Sequence, residues 1–121
     1  MSSQEELRHR TKSFGLRILK LFQSLPRRTD AQILGRQLLR SGTAVGANYR
    51  AAGRARSQAE FAARIGVVLE EADETVFWLE LLLEAGFVKP ERLKDLLQEA
   101  NELTAIFAAS HHTAKSHAGS R

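Results

Sequence analysis

The sequence contains no cysteine, and that one absence removes several classes of protein. A disulfide scaffold, a thiolate metal site and a cysteine nucleophile all need the missing side chain. Proline occurs twice in 121 residues, and tryptophan and tyrosine once each. Helix-breaking positions are therefore scarce. Leu, Ala, Glu and Arg are abundant, and together these features point to an all-α chain. A long hydrophobic run is lacking too. The most apolar stretch, Ile65 to Val88, is interrupted by Glu70, Glu71, Asp73, Glu74, Glu80 and Glu84, so no membrane span is expected. The opening residues, MSSQEELRHR, lack the apolar segment of a signal peptide. With neither cysteine nor export signal, the cytoplasm is the expected compartment.

Hydrophobic residues make up 43% of the chain and charged residues 26%, the profile of a soluble folded domain. The length suits one domain with a modest core. The net charge is only +4, but it is unevenly laid out. Residues 1–56 hold 12 Lys and Arg against 3 Asp and Glu, a net of +9. Residues 57–121 hold 6 against 11, a net of −5. A basic half precedes an acidic half. Either the two neutralise each other in the fold, or each faces a different partner.

Four helices are predicted. Ser3 with Glu6 has capping-box spacing and opens the first, whose apolar positions are Leu7, Phe14, Ile18, Leu21, Phe22 and Leu25. Pro26 ends it. Thr29 with Gln32 repeats the spacing and opens helix two, which runs to about Gly53. Ser57 with Glu60 opens a long helix three, which ends near Ala85 with Gly86 as its stop. Pro90 fits a first helical position, and Leu93, Leu96, Leu97, Ala100, Leu103 and Phe107 share one face of helix four. No segment alternates as a strand does. The expected architecture is an antiparallel up-down-up-down four-helix bundle over residues 1–109. From Ser110 the composition turns small and polar, and 110–121 is expected to be a disordered tail.

Helix two resolves into three stripes. Leu34, Leu38, Val45, Tyr49 and Ala52 form its core face. Arg36, Arg40, Arg50 and Arg54 lie opposite, and Arg56 extends them into the next turn. Gly35, Gly42, Gly46 and Gly53 form a band beside the core face. Four glycines in a helix cost roughly 3–4 kcal/mol against alanine, at about 0.8–1 kcal/mol each. Their alignment calls for a compensating gain, and a smooth face that admits another helix closely supplies one; a kinked helix is the competing explanation. The arginines suit nucleic-acid phosphates, or else form a solvated or internally paired face. No aromatic residue interleaves with them, so binding would be backbone-directed and only weakly sequence-specific.

Helix three is apolar on two sides. Phe61, Ile65, Val68, Ala72, Val76, Leu79 and Leu83 make a core stripe. Val67, Phe77, Trp78 and Leu81 lie on the far side, interspersed with Glu70 and Glu74. A monomeric bundle needs one buried stripe per helix, so the second patch points to a subunit interface unless a neighbouring helix covers it. Glu70 and Glu74 are candidates to meet the arginines of helix two, within or between subunits.

Catalytic and cofactor chemistry is not indicated. A di-metal carboxylate bundle needs two Glu-x-x-His motifs pointing inward. This chain has one such spacing, Glu6 to His9, at a polar terminus, and His111, His112 and His117 fall in the expected tail. The glycines are spaced for a helix face and not for a phosphate loop. No enzyme activity, metal or cofactor is expected.

The stretch Gln37 to Leu82 carries a resemblance. Gln37-Leu38 with Arg40-Ser41, Val45 with Ala47-Asn48, Arg56-Ser57, and Glu74-Thr75 with Trp78-Leu79-Glu80-Leu81-Leu82 form a pattern that resembles the 23S rRNA-intervening-sequence protein family. Leu25-Pro26 fits as well, and the resemblance extends over Phe14 to Phe107. An acidic residue usual in the family near Ala51 is missing here. The resemblance implies a small cytoplasmic bacterial bundle that assembles as a ring-like homopentamer. Similar proteins are accessory factors of diversity-generating retroelements, which bind a reverse transcriptase and nucleic acid through a basic surface. Most members have no assigned role. The expectation is a non-enzymatic oligomer that binds RNA or DNA through Arg36, Arg40, Arg50, Arg54 and Arg56. The alternative is a protein-interaction scaffold or accessory subunit whose arginines are covered by Glu70 and Glu74.

Overall fold

The apolar periodicity becomes four long helices in the computed structural model, which describes residues 2–119. They are α1 (Ser3–Gln23), α2 (Thr29–Ala52), α3 (Gln58–Glu84) and α4 (Pro90–Gly119). No strand occurs among the described residues. Each helix packs on the next in sequence to make a four-helix bundle, while α1 and α4 meet more sparsely. Across the α1–α2 contact, residue numbers fall on α2 as they rise on α1: Thr11 faces Gly46, Ile18 faces Gly42, and Leu25 faces Gly35.

Local chemistry sets the helix ends. The Ser57 side chain accepts from the Glu60 N–H at 3.1 Å, and the Glu60 carboxylate accepts from the Arg56 N–H at 3.1 Å. Ser57 thus caps α3 as the spacing predicts, while Glu60 reaches back one residue further than the Ser57 N–H, to that of Arg56. At the other end of α3, Gly86 takes φ +80°, a conformation glycine adopts without strain. The Gly86 N–H donates to the Leu83 carbonyl and the Phe87 N–H to the Leu82 carbonyl, both at 3.0 Å, which satisfies the last turn. Two expected caps are displaced. Ser2, not Ser3, caps α1 through the Glu5 N–H at 3.1 Å. At α2 the cap position is Arg28, whose side chain does not cap, and the Thr29–Gln32 box does not form. There Asp30 accepts from the Ala31 N–H, and the Gln32 amide donates to the Pro26 carbonyl, each at 2.9 Å.

The expected disordered tail is corrected over residues 110–119, which continue α4. The heptad step from Phe107 places Ala114 on the buried face, and no proline intervenes before Gly119. His111 lies over α3, its ring nitrogen 3.0 Å from where a Gly66 side chain would begin. Small and polar composition therefore marks a thin helix here, because alanine and a glycine notch suffice to bury one face. Ser120 and Arg121, the last residues of the expected tail, lie outside the described residues.

The core is built from Phe14 and Ile18 of α1, Leu38 and Val45 of α2, Ile65, Leu79 and Leu82 of α3, and Leu93, Leu103 and Phe107 of α4, all essentially solvent-free. Tyr49 meets Phe107 with ring centres 5.4 Å apart in a tilted arrangement. Leu34, Phe61 and Leu83, expected in the core, are half-buried at its edge, whereas Leu82 and Thr75 are fully buried.

Candidate nucleic-acid interface

Helix α2 has a seam on each side, and the two seams are built differently. Toward α1, the glycines remove the side chains that would hold the helices apart. A methyl group at Gly42 would sit 2.8 Å from Ile18, and one at Gly35 would sit 2.5 Å from Leu25. At Gly46 it would lie 3.2 Å from the Thr11 carbonyl oxygen. Three of the four glycines thus serve close helix packing, and the fourth, Gly53, caps α2 at its C-terminus.

The outer side of this seam is a groove of about 660 Å³. Its apolar part is formed by Leu16, Leu19 and Leu39, with Gly15 and Gly46 between them. Arg8, His9 and Lys12 of α1 line it from one side, and Arg50 of α2 with Arg54 just past its end from the other. No carboxylate of the described residues lines it. Arg8 and Lys12 are one turn apart on α1 and project from one helix face, while Arg50 lies in the last turn of α2 and Arg54 in the turn just beyond its Gly53 cap. None of these four side chains has an ion pair within the described residues. Burial pushes the Tyr49 phenol above its ordinary value, and the nearby Arg8 charge opposes that shift.

Toward α3, the seam is closed by polar contacts. Inside, Thr75 Oγ1 lies 2.9 Å from Ser41 Oγ and 2.7 Å from the Glu71 carbonyl, with both residues fully buried. Outside, the Arg40 guanidinium donates to Glu71 at 3.2 Å and also pairs with Glu74. The Trp78 indole N–H donates to Glu74 at 2.9 Å. Glu74 is held below its ordinary carboxylate range chiefly by the Trp78 bond; burial opposes this, and the Arg40 bond and charge add to the lowering. Beside this cluster, Phe77 packs edge-on to Trp78 with ring centres 4.9 Å apart. Phe77 is 53% exposed and Val67 40%, while Trp78 and Leu81 are half-buried. Trp78 also packs against the core.

The five expected arginines therefore do not form one surface. Arg50 and Arg54 enter the groove, and Arg40 belongs to the opposite seam. Arg36 is exposed and has no ion pair among the described residues. Arg56 lies beyond α2, close enough to help lower the Glu60 carboxyl, after its own N–H and Arg64. Glu74 meets an arginine as expected, but its companion is Glu71, and Glu70 stays exposed. Arg8 and Lys12 were not among the expected site residues. Their signal was the four-residue spacing on α1 and the excess positive charge of the first half. Among the described residues no three His, Asp or Glu side chains gather as a metal would require, and no helix is long and apolar enough to cross a membrane.

These features define a small all-helical bundle with one bare cationic groove and one neutralised aromatic seam. The chain belongs to the 23S rRNA-intervening sequence protein family, whose model matches residues 4–109. It is similar to a crystal structure of a protein of unknown function from the S23 ribosomal protein family of Bacteroides thetaiotaomicron. The two are 29% identical, the match covers 92% of this chain and 99% of that chain, and the TM-score is 0.84. No curated protein matches the sequence.

Proposed function

We propose that this protein is a non-enzymatic, cytoplasmic bundle that binds the phosphate backbone of RNA or DNA at the α1–α2 seam and self-associates at the α2–α3 seam. The helices run antiparallel, up-down-up-down, and the copies close into the homopentamer that the family resemblance implies. One observation carries the nucleic-acid reading: Arg8, Lys12, Arg50 and Arg54 converge on a groove without a carboxylate. Four uncompensated cations hold counter-ions in the free protein, and phosphates release their own when they replace them. Arg36 and Arg56 flank this set. Filter binding across a salt series tests the reading. Affinity falls steeply with salt, and Arg50→Ala with Arg54→Ala lowers the log–log salt slope by about two. Arg40→Ala leaves that slope in place, because Glu71 and Glu74 already neutralise Arg40. Absence of binding at low salt, or a double variant that binds as the parent does, overturns it.

A second reading is favoured by the fate of Arg40. Its pairing beside exposed Phe77 makes the α2–α3 seam resemble a protein-contact surface, with an apolar centre and fixed charges. The protein then acts as a scaffold or accessory subunit, for example of a reverse transcriptase, without nucleic-acid affinity of its own.

A further inference from the structure

The groove combines two features that duplex nucleic acid cannot use together. Its cations stand in two rows, Arg8 with Lys12 and Arg50 with Arg54, and between and beyond them the surface is aliphatic. Leu16 is 55% exposed there, with half-buried Leu19 and Leu39 beside it. A duplex presents phosphates and groove edges, and its base faces are stacked away. It can touch the cation rows but has nothing to lay on the leucines. The close α1–α2 approach set by Gly42 and Gly46 also makes the cleft narrow, the gap between two neighbouring helices whose axes lie about 8–10 Å apart. A rigid double helix, whose own major groove is about 12 Å wide, is too broad to settle into it. A single strand can thread such a cleft, with phosphates on the cation rows and splayed bases or sugars against the aliphatic floor.

We infer that the α1–α2 groove is a binding site for single-stranded nucleic acid, with Arg8 and Lys12 as its second wall and Leu16 as its apolar floor. This rests on the proposed nucleic-acid binding and narrows it to one strandedness and one set of residues. The shared chemistry is a phosphodiester strand, which RNA and DNA both supply. The aliphatic floor gives weaker contact than aromatic stacking, so base identity matters little. Four phosphate contacts to a single strand give a log–log salt slope of about −3, which weakens binding about 50-fold between 50 and 200 mM salt.

Fluorescence anisotropy on the full chain tests this with 12-nucleotide oligo-rU and oligo-dT and with a 12-base-pair blunt duplex. The expected result is binding to one or both single strands at least tenfold tighter than to the duplex at equal salt. The tighter of the two strands identifies the sugar that the site prefers. Arg8→Gln with Lys12→Gln lowers strand affinity at least tenfold, and Leu16→Gln lowers it about threefold while leaving duplex affinity unchanged. All three positions are exposed, and unchanged circular dichroism melting confirms that the variants fold. Equal or tighter duplex binding overturns the strand assignment and leaves nucleic-acid binding standing. Strand binding indifferent to Arg8, Lys12 and Leu16 overturns the groove as its site. Binding to none of the three probes overturns both readings.

Discussion

Helix α2 offers an arginine to each of its neighbours, and the neighbours respond in opposite ways. On the α3 side, Arg40 meets Glu71 and Glu74, and the indole of Trp78 shares the same carboxylate. On the α1 side, Arg50 and Arg54 meet only further cations, Arg8 and Lys12. The difference comes from what each neighbour contributes. Helix α3 is acidic along its outer surface, and α1 is basic. It also comes from spacing. Gly35, Gly42 and Gly46 bring α1 close, leaving a cleft where the two surfaces turn outward. The Ser41–Thr75 contact fills the α3 seam from within, and the aromatic pair covers it from outside. Position on α2 alone thus does not decide whether an arginine is free to bind. The charge of the adjacent helix does.

The largest test of this contrast is to force the glycine seam apart. Gly42→Leu places a side chain against buried Ile18, which has nowhere to move. A loss of about 3 kcal/mol is expected, near the upper end for overpacking. That corresponds to a melting temperature lower by roughly 10 °C for a domain of this size. The matched change at the other seam, Ser41→Ala, removes a buried hydroxyl in contact with Thr75 and the Leu38 carbonyl and costs about 1 kcal/mol. Equal losses at the two positions would erase the proposed difference in packing.

The proposed self-association separates the seams at the next level. Phe77→Asp puts a charge into the aromatic outcrop of the α2–α3 seam, and light scattering then gives a mass near 13.5 kDa instead of a several-fold multiple. Leu16→Gln, in the groove, leaves the mass unchanged. A Phe77→Asp protein that keeps the parent's mass would place the subunit contact elsewhere.

The smallest effect is a pH response at the paired seam. The Glu74 carboxyl lies below its ordinary value of 4.5 in the folded chain. The stability it contributes is therefore complete above that ordinary value and is lost as pH falls through the lower folded one. Trp78 is the chain's single tryptophan, and its indole N–H donates to Glu74, so its fluorescence reports the change directly. A red shift below pH 4.5 is expected, and Glu74→Gln removes the pH dependence.

Most of the fold was legible because it rests on period and punctuation. Steps of three and four placed the apolar faces, and Ser57, Gly86 and Pro90 marked ends that the structure reproduces. The glycine band also led to the close α1–α2 contact. Two kinds of feature were not legible. The α1 cap shifted by one residue because Ser2 and Ser3 compete for the same backbone N–H groups, and at α2 Arg28 takes the cap position with no side-chain acceptor to offer. The helical stretch 110–119 was hidden by its lack of large apolar residues, although Ala114 needs little room to be buried. For the site, helical angle grouped Arg36, Arg40, Arg50 and Arg54, but it carries no information about neighbouring helices. Glu71 captures Arg40 from one side, and Arg8 and Lys12 complete the groove from the other. Those partners lie tens of residues away and become visible only when the helices are packed.

Arg10 gives the bundle an order of opening. Its guanidinium donates to Glu99 twice at 2.7 Å and to Glu102 at 2.7 Å, and it bridges α1 and α4 where they otherwise touch little. The other three contacts between neighbouring helices are extensive, so the described residues form a strip of four helices rolled up and fastened by this charged clasp. Amide hydrogen exchange then begins along that edge, by partial unrolling well below the free energy of global unfolding. The α1–α2 contact is less extensive than the α2–α3 and α3–α4 contacts, so α1 peels away first, and the groove that α1 and α2 form together opens with it.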